Sequence, residues 1–178
     1  MGLNDLASVK AEIEKAFAGV EFPGDWCLIN SREGNEPFLL EQEFKGKDDW
    51  RVLDASFIDQ APDGFGTALS FFSDEAFHFY LPAYLLADLD GRLKQADPVF
   101  HLTHGFDSAS RDEKINPRRY GERTWFEHAR HKFAMFNARE RSAILTYLTY
   151  KRDNDAPTGL ERRRIDEALS GFWARQTA

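Results

Sequence analysis

The sequence contains one cysteine, Cys27, among 178 residues. A lone thiol closes no intrachain disulfide, so the fold is not a disulfide framework and nothing points to an oxidising compartment. Cys27 sits between Trp26 and Leu28, with no local signature supplying a base or orienting group. It reads as a small buried hydrophobe rather than a nucleophile. No apolar run approaches the length of a membrane span. The start, Met1-Gly2-Leu3-Asn4-Asp5-Leu6, lacks the basic and apolar regions of a signal peptide. Leu6 stands where myristoylation requires Ser or Thr. The expectation is a cytoplasmic protein without membrane association.

Catalytic signatures are missing too. There is no G-x-S-x-G, P-loop, G-x-G-x-x-G or H-E-x-x-H, and no cysteine pair. Gly64-Phe65-Gly66 reads only as a turn. Acidic pairs such as Asp48-Asp49 and Glu41/Glu43 arise readily in so acidic a chain and fix no separation for glycosidase-type chemistry. No cofactor is expected. Internal repeats and low-complexity tracts are likewise absent.

What is present is apolar and aromatic. Hydrophobic residues make up 42% of the chain and aromatics 14%, with 16 Phe, enough to argue against disorder. A chain of this size buries roughly 70% of its unfolded surface and needs no structural metal. Net charge is −7 and uneven. Residues 1–60 carry 6 basic and 13 acidic side chains, residues 61–110 carry 2 and 7, and residues 111–178 carry 15 and 10. An acidic front and a basic back suit pairing within the fold or with partners of opposite sign.

Periodicity predicts a mainly α fold: a single-domain, irregular bundle of six to eight helices, with a short strand pair allowed near residues 26–30. Leu6, Val9, Ile13 and Phe17 share one helical face behind an Asn4 or Asp5 cap, and Gly19 ends that helix. Phe22-Pro23-Gly24-Asp25 is a turn. Helices are expected over Pro37–Phe44 and from Asp48 or Asp49 through Trp50, Leu53 and Phe57, then a loop over 60–66. Ser73 caps a helix that is apolar almost all round, in which Pro82 is expected to force a kink or a split. A short helix near 99–104 precedes a solvated loop, and a helix follows over Arg123–Phe136. Asn137 with Glu140 forms a capping box for a helix to Tyr150. Residues 1–152 are read as the core domain, and residues 153–178 as a linker and a C-terminal helix packed on it.

The candidate binding cluster is Phe77, His78, Tyr80, Pro82 and Tyr84, where core packing competes with a binding pocket. Two i, i+3 pairs, His101/His104 and His128/His131, are weak metal candidates, because Arg130 and Lys132 flank the second and no ligand signature accompanies either. Arg118, Arg119, Arg123, Arg130, Arg139 and Arg141 interleave with Tyr120, Trp125 and Phe126. That pattern suits phosphate contact, but a solvated helix face is the plainer reading, and net acidity weighs against nucleic acid.

The block Phe72-Ser73-Asp74-Glu75-Ala76-Phe77-His78-Phe79-Tyr80-Leu81-Pro82-Ala83-Tyr84-Leu85-Leu86 resembles the central segment of an uncharacterised bacterial family, a domain of unknown function. Matching features are Glu12–Phe17, the Phe22-Pro23-Gly24 turn, Asp49–Leu53 and Ser142–Leu148. The resemblance covers residues 10–152 and implies no activity and no site residues; the tail from Leu160 to Trp173 reads as an addition. The leading functional expectation is a non-enzymatic, protein-binding module with one protein partner, as in the immunity protein of a bacterial toxin pair. The alternative is a ligand- or metal-binding enzyme using the Pro82 cluster and the histidine pairs.

Overall fold

The computed structural model describes residues 5–62, 68–156 and 158–176. Among them are ten α-helices, more than the six to eight expected, and no β-strand. The chain divides into two compact units, Phe17–Pro98 and Met1–Ala16 with Val99–Ala178.

The first unit is built on α2 (Glu36–Phe44), α3 (Ala55–Gln60), α4 (Ala68–Phe71) and α5 (Asp74–Leu89). The Ser73 hydroxyl accepts from Ala76 N at 3.0 Å and starts α5, with Asp74 and Glu75 in the first turn where they complement the helix dipole. Pro82 neither splits nor ends this helix, which runs unbroken to Leu89. Proline removes one backbone donor, but eleven of the sixteen residues are buried, and that apolar area holds the helix together. Its aromatic side chains carry the core. Tyr80 stacks on Phe72 at 5.0 Å, and Phe44 meets both ring edges at 4.9–5.0 Å.

The segment near residues 26–30 forms no strand pair. Asp25–Cys27 is a 3₁₀ turn, and an isolated bridge joins Ile29 to Phe72. Asn30-Ser31 and Gly34-Asn35 leave too short a run for a ladder. The helix expected from Asp48 through Phe57 is also broken. Asp49 caps a single 3₁₀ turn, Trp50–Val52, Leu53 is extended, and the Asp54 carboxylate accepts from Ser56 N and Phe57 N to begin α3 anew. Asp54 competes for the backbone and wins a second start. Of the expected 60–66 loop, residues 63–66 lie outside the described residues, as does the Asn4 cap.

A buried carboxylate closes the far side of the unit. Asp59, on α3 and 3% exposed, accepts hydrogen bonds from three consecutive backbone N–H groups, Lys94, Gln95 and Ala96, at 2.9–3.0 Å. Burial raises its pKa, but the three donors together outweigh burial and hold it below the ordinary carboxylate value.

The second unit contains α1 (Leu6–Phe17, up to Ala16), α6 (Pro98–Thr103, from Val99), α7 (Pro117–Tyr120), α8 (Trp125–Phe133), α9 (Ala138–Asn154) and α10 (Gly159–Gly171). Asp5 starts α1 by accepting from Ser8 N at 2.9 Å, and Val9 and Ile13 are fully buried. The capping box at Asn137 and Glu140 starts α9, which outruns the expected Tyr150 end by one turn. A second capping box at Thr124 and Glu127 starts α8. α10 packs on α9, and the following 3₁₀ turn, Trp173–Gln176, packs on both. Trp173 is fully buried and donates its indole N–H to Leu102 O at 2.9 Å. Phe106 stacks on Phe172 at 4.1 Å.

The segment expected as a solvated loop after residue 104 contains α7 and five buried residues, Gly105, Phe106, Asp107, Ser110 and Ile115. Asp107 accepts from Ala109 N and Ser110 N, and Ser110 accepts from Gly105 N at 2.8 Å, so local side chains satisfy the backbone. Gly105 has a φ of +89°, and a Cβ there would lie 2.6 Å from Trp125 O.

Two substitutions test these constraints. Gly105→Ala should destabilise the protein by about 3 kcal/mol in urea melts, since strain and a backbone clash act together. Asp59→Asn should lower stability at neutral pH by about 2 kcal/mol. Because the folded-state pKa is depressed, Asp59 stabilises above the ordinary carboxylate value and loses that contribution as pH falls through its folded value. The gap between wild type and Asp59→Asn should therefore narrow in acid; a constant gap would contradict the clamp.

Candidate functional site

The Pro82 cluster lies in the core of the unit Phe17–Pro98. Phe77, Tyr80 and Tyr84, on one stripe of α5, are fully buried, Pro82 is buried beside them, and His78 is half-buried with its ring 6.1 Å from Phe17. The Tyr80 hydroxyl donates to Lys47 O at 2.7 Å. Burial first, then the charges of Asp25 and Asp48, push its pKa well up. Burial does the same for Tyr84, whose hydroxyl has no hydrogen-bond partner among the described residues.

Beside this core stands an exposed indole. Trp26 is 80% solvent-exposed. Gly24, in the Phe-Pro-Gly turn, has a φ of +97°, and a Cβ there would lie 2.7 Å from the Trp26 indole nitrogen. The missing Cβ lets the indole rest against the turn. The neighbouring Asp25 is fixed by Gly46 N, which donates to its carboxylate at 2.8 Å. The charges of Asp25 and Asp48 both act on the Tyr80 hydroxyl. The sequence allowed a short strand at Trp26; the signal that marks it is a tryptophan directly after a Pro-Gly-Asp turn, outside any apolar periodicity.

In the other unit the two histidine pairs meet through one member each. His104 stacks on Phe100 at 4.8 Å and meets the edge of Trp125 at 4.6 Å, and Trp125 lies 5.8 Å from His128. Burial, helped by Lys132 and then His104, drives the His101 pKa down to about 3, so its imidazole is neutral. Burial also lowers His104, with Asp107 and Glu113 opposing. The positive charge of Lys132 acting on His101 makes this cluster unfavourable for a cation. Among the described residues, no group of three or more His, Cys, Asp or Glu side chains is arranged to hold a metal ion.

His131 faces elsewhere, into an open groove of about 620 Å³ along α8, together with Glu122, Arg123, Glu127, Arg130 and Ala134. The sequence marked this stretch as basic and aromatic, but not which of its charges are free.

The comparison with known families decides what this chain is related to. Residues 5–177 match a family of unknown function, DUF6714. The chain belongs to this family. The match includes the tail from Leu160 to Trp173, so that tail is part of the DUF6714 domain rather than an addition, in keeping with the burial of Phe172 and Trp173. No curated protein and no solved structure matches this DUF6714 member.

His101 supplies a pH test. Below its ordinary value of 6.5 the unfolded chain takes up a proton that the folded chain refuses until about pH 3. Stability should therefore fall across that window as pH drops. His101→Gln should show a shallower loss of melting temperature between about pH 7 and about pH 4; an unchanged slope would mean that His101 is not held neutral.

Proposed function

We propose that this DUF6714 chain is a non-enzymatic protein-binding module of the bacterial cytoplasm, docking one basic protein partner on the unit Phe17–Pro98. The observation that carries the reading is Trp26, 80% exposed yet held against Gly24 beside Asp25. Tryptophan is the residue type most enriched where binding energy concentrates. The unit around it has 16 acidic against 6 basic side chains, a net −10. An indole next to carboxylates receives a Lys or Arg side chain through cation–π attraction and charge-assisted hydrogen bonds. The surrounding negative field steers a basic surface towards it. Phe38 and Val52, 55% and 77% exposed, add apolar contact area on the same unit. In its most specific form the reading is an immunity protein that neutralises a basic toxin.

The test is capture of partners from the source organism's lysate by tagged wild type and tagged Trp26→Ala, with mass spectrometry. One stoichiometric partner of high isoelectric point is expected. Its affinity, remeasured with purified protein, should drop about thirtyfold in Trp26→Ala and weaken with salt, while the melting temperature stays put. Equal capture by the variant, an acidic partner, or a partnerless preparation would overturn the reading. Co-expression with a toxin encoded beside it tests the immunity form; no protection removes that form.

A further inference from the structure

We infer that the groove along α8 is a binding site for a small polyvalent oxyanion, a phosphoryl or polycarboxylate group held by Arg123 and Arg130. The inference concerns the other unit and is independent of docking at Trp26.

The argument starts from charges that ought to cancel. Glu127 lies four residues after Arg123, three before Arg130 and four before His131. Arg130 and His131 share α8 with Glu127, and side chains three and four apart on a helix meet, so Glu127 is placed to neutralise them. It does not do so. Its carboxylate turns back to the helix start, accepting from Thr124 N at 2.9 Å and from the Thr124 hydroxyl at 3.3 Å, and closes the capping box. The groove's other acid, Glu122, is engaged by Lys114 Nζ at 2.5 Å. Both acids lining the groove are thus committed elsewhere. Arg123 and Arg130 are exposed and pair with no carboxylate among the described residues.

Position and size agree with this. The Arg130 guanidinium lies 6.0 Å from the Phe126 ring, on which Arg111 also sits at 4.9 Å, so its stem is guided along the helix. His131 adds a ring donor or acceptor at the groove wall. A groove of about 620 Å³ suits a small ligand, and its only apolar lining residue is Ala134, which excludes an apolar one. Two planar forks without acceptors recognise oxyanions bidentately.

The test is a titration of the full chain at low ionic strength with pyrophosphate and, separately, citrate, followed by calorimetry and backbone-amide NMR. Saturable binding of at least one is expected, with shifts centred on residues 122–134. Pyrophosphate alone assigns the site to phosphoryl groups, citrate alone to carboxylates. Arg123→Gln and Arg130→Gln should each weaken binding about tenfold without changing the melting temperature, whereas Arg139→Gln, outside the groove, should leave it intact. The inference is overturned if neither anion saturates, if the groove variants bind as well as wild type, if Arg139→Gln weakens binding equally, or if only a single-stranded RNA oligonucleotide binds.

Discussion

Burying large aromatic rings is the constraint on which the rest of the molecule depends. In the unit Phe17–Pro98, Phe44 sits within 5.0 Å of Phe57, Phe72 and Tyr80. In the other unit, Phe106, Phe133, Phe172 and Trp173 form the equivalent cluster. Rings favour edge and offset contacts over a regular interlocking ridge. Short helices meeting at many angles provide such contacts better than long parallel ones. The polar ends of two rings then tie irregular segments to each core: Tyr80 to the carbonyl of Lys47, and Trp173 to that of Leu102. Loops are held by the same side chains that fill the interior.

Much of the helical layout was legible in the chain. The Leu6, Val9, Ile13, Phe17 stripe, the Ser73 cap and the Asn137–Glu140 box each state a local rule that the fold obeys. The misreadings have physical causes. Asp54 formed hydrogen bonds that restarted a helix already read as continuous. Residues after 104 satisfied their backbone with Asp107 and Ser110, and so became buried rather than solvated. The candidate sites were less legible still, because they depend on choices among local alternatives. The Thr124-x-x-Glu127 spacing carries a capping-box signal that draws Glu127 away from Arg130, but nothing in the order of residues announces that His104 and His128 share Trp125.

Charge follows a related logic. The ion pairs of the basic-rich unit include near neighbours, Lys151 with Asp155, Arg163 with Glu167 and Arg152 with Asp153, while Arg152 also reaches Asp166 on α10. Surface pairs such as Arg163 with Glu167 contribute about 0–1 kcal/mol each. The fold rests on its aromatic cores rather than on these pairs. The acidic unit presents a field with an indole set in it, and the other unit presents guanidinium groups that its own carboxylates decline.

The four tryptophans divide evenly, with Trp26 and Trp50 in one unit and Trp125 and Trp173 in the other. Trp50 is 2% exposed and Trp173 0%. Indole fluorescence shifts to longer wavelength on contact with water, so each unit carries a buried optical probe of its own integrity, while Trp26 emits from solvent throughout. Variants retaining only Trp50 or only Trp173 would turn that arrangement into two separate colour signals, and the question of whether the units melt together becomes one that light can answer.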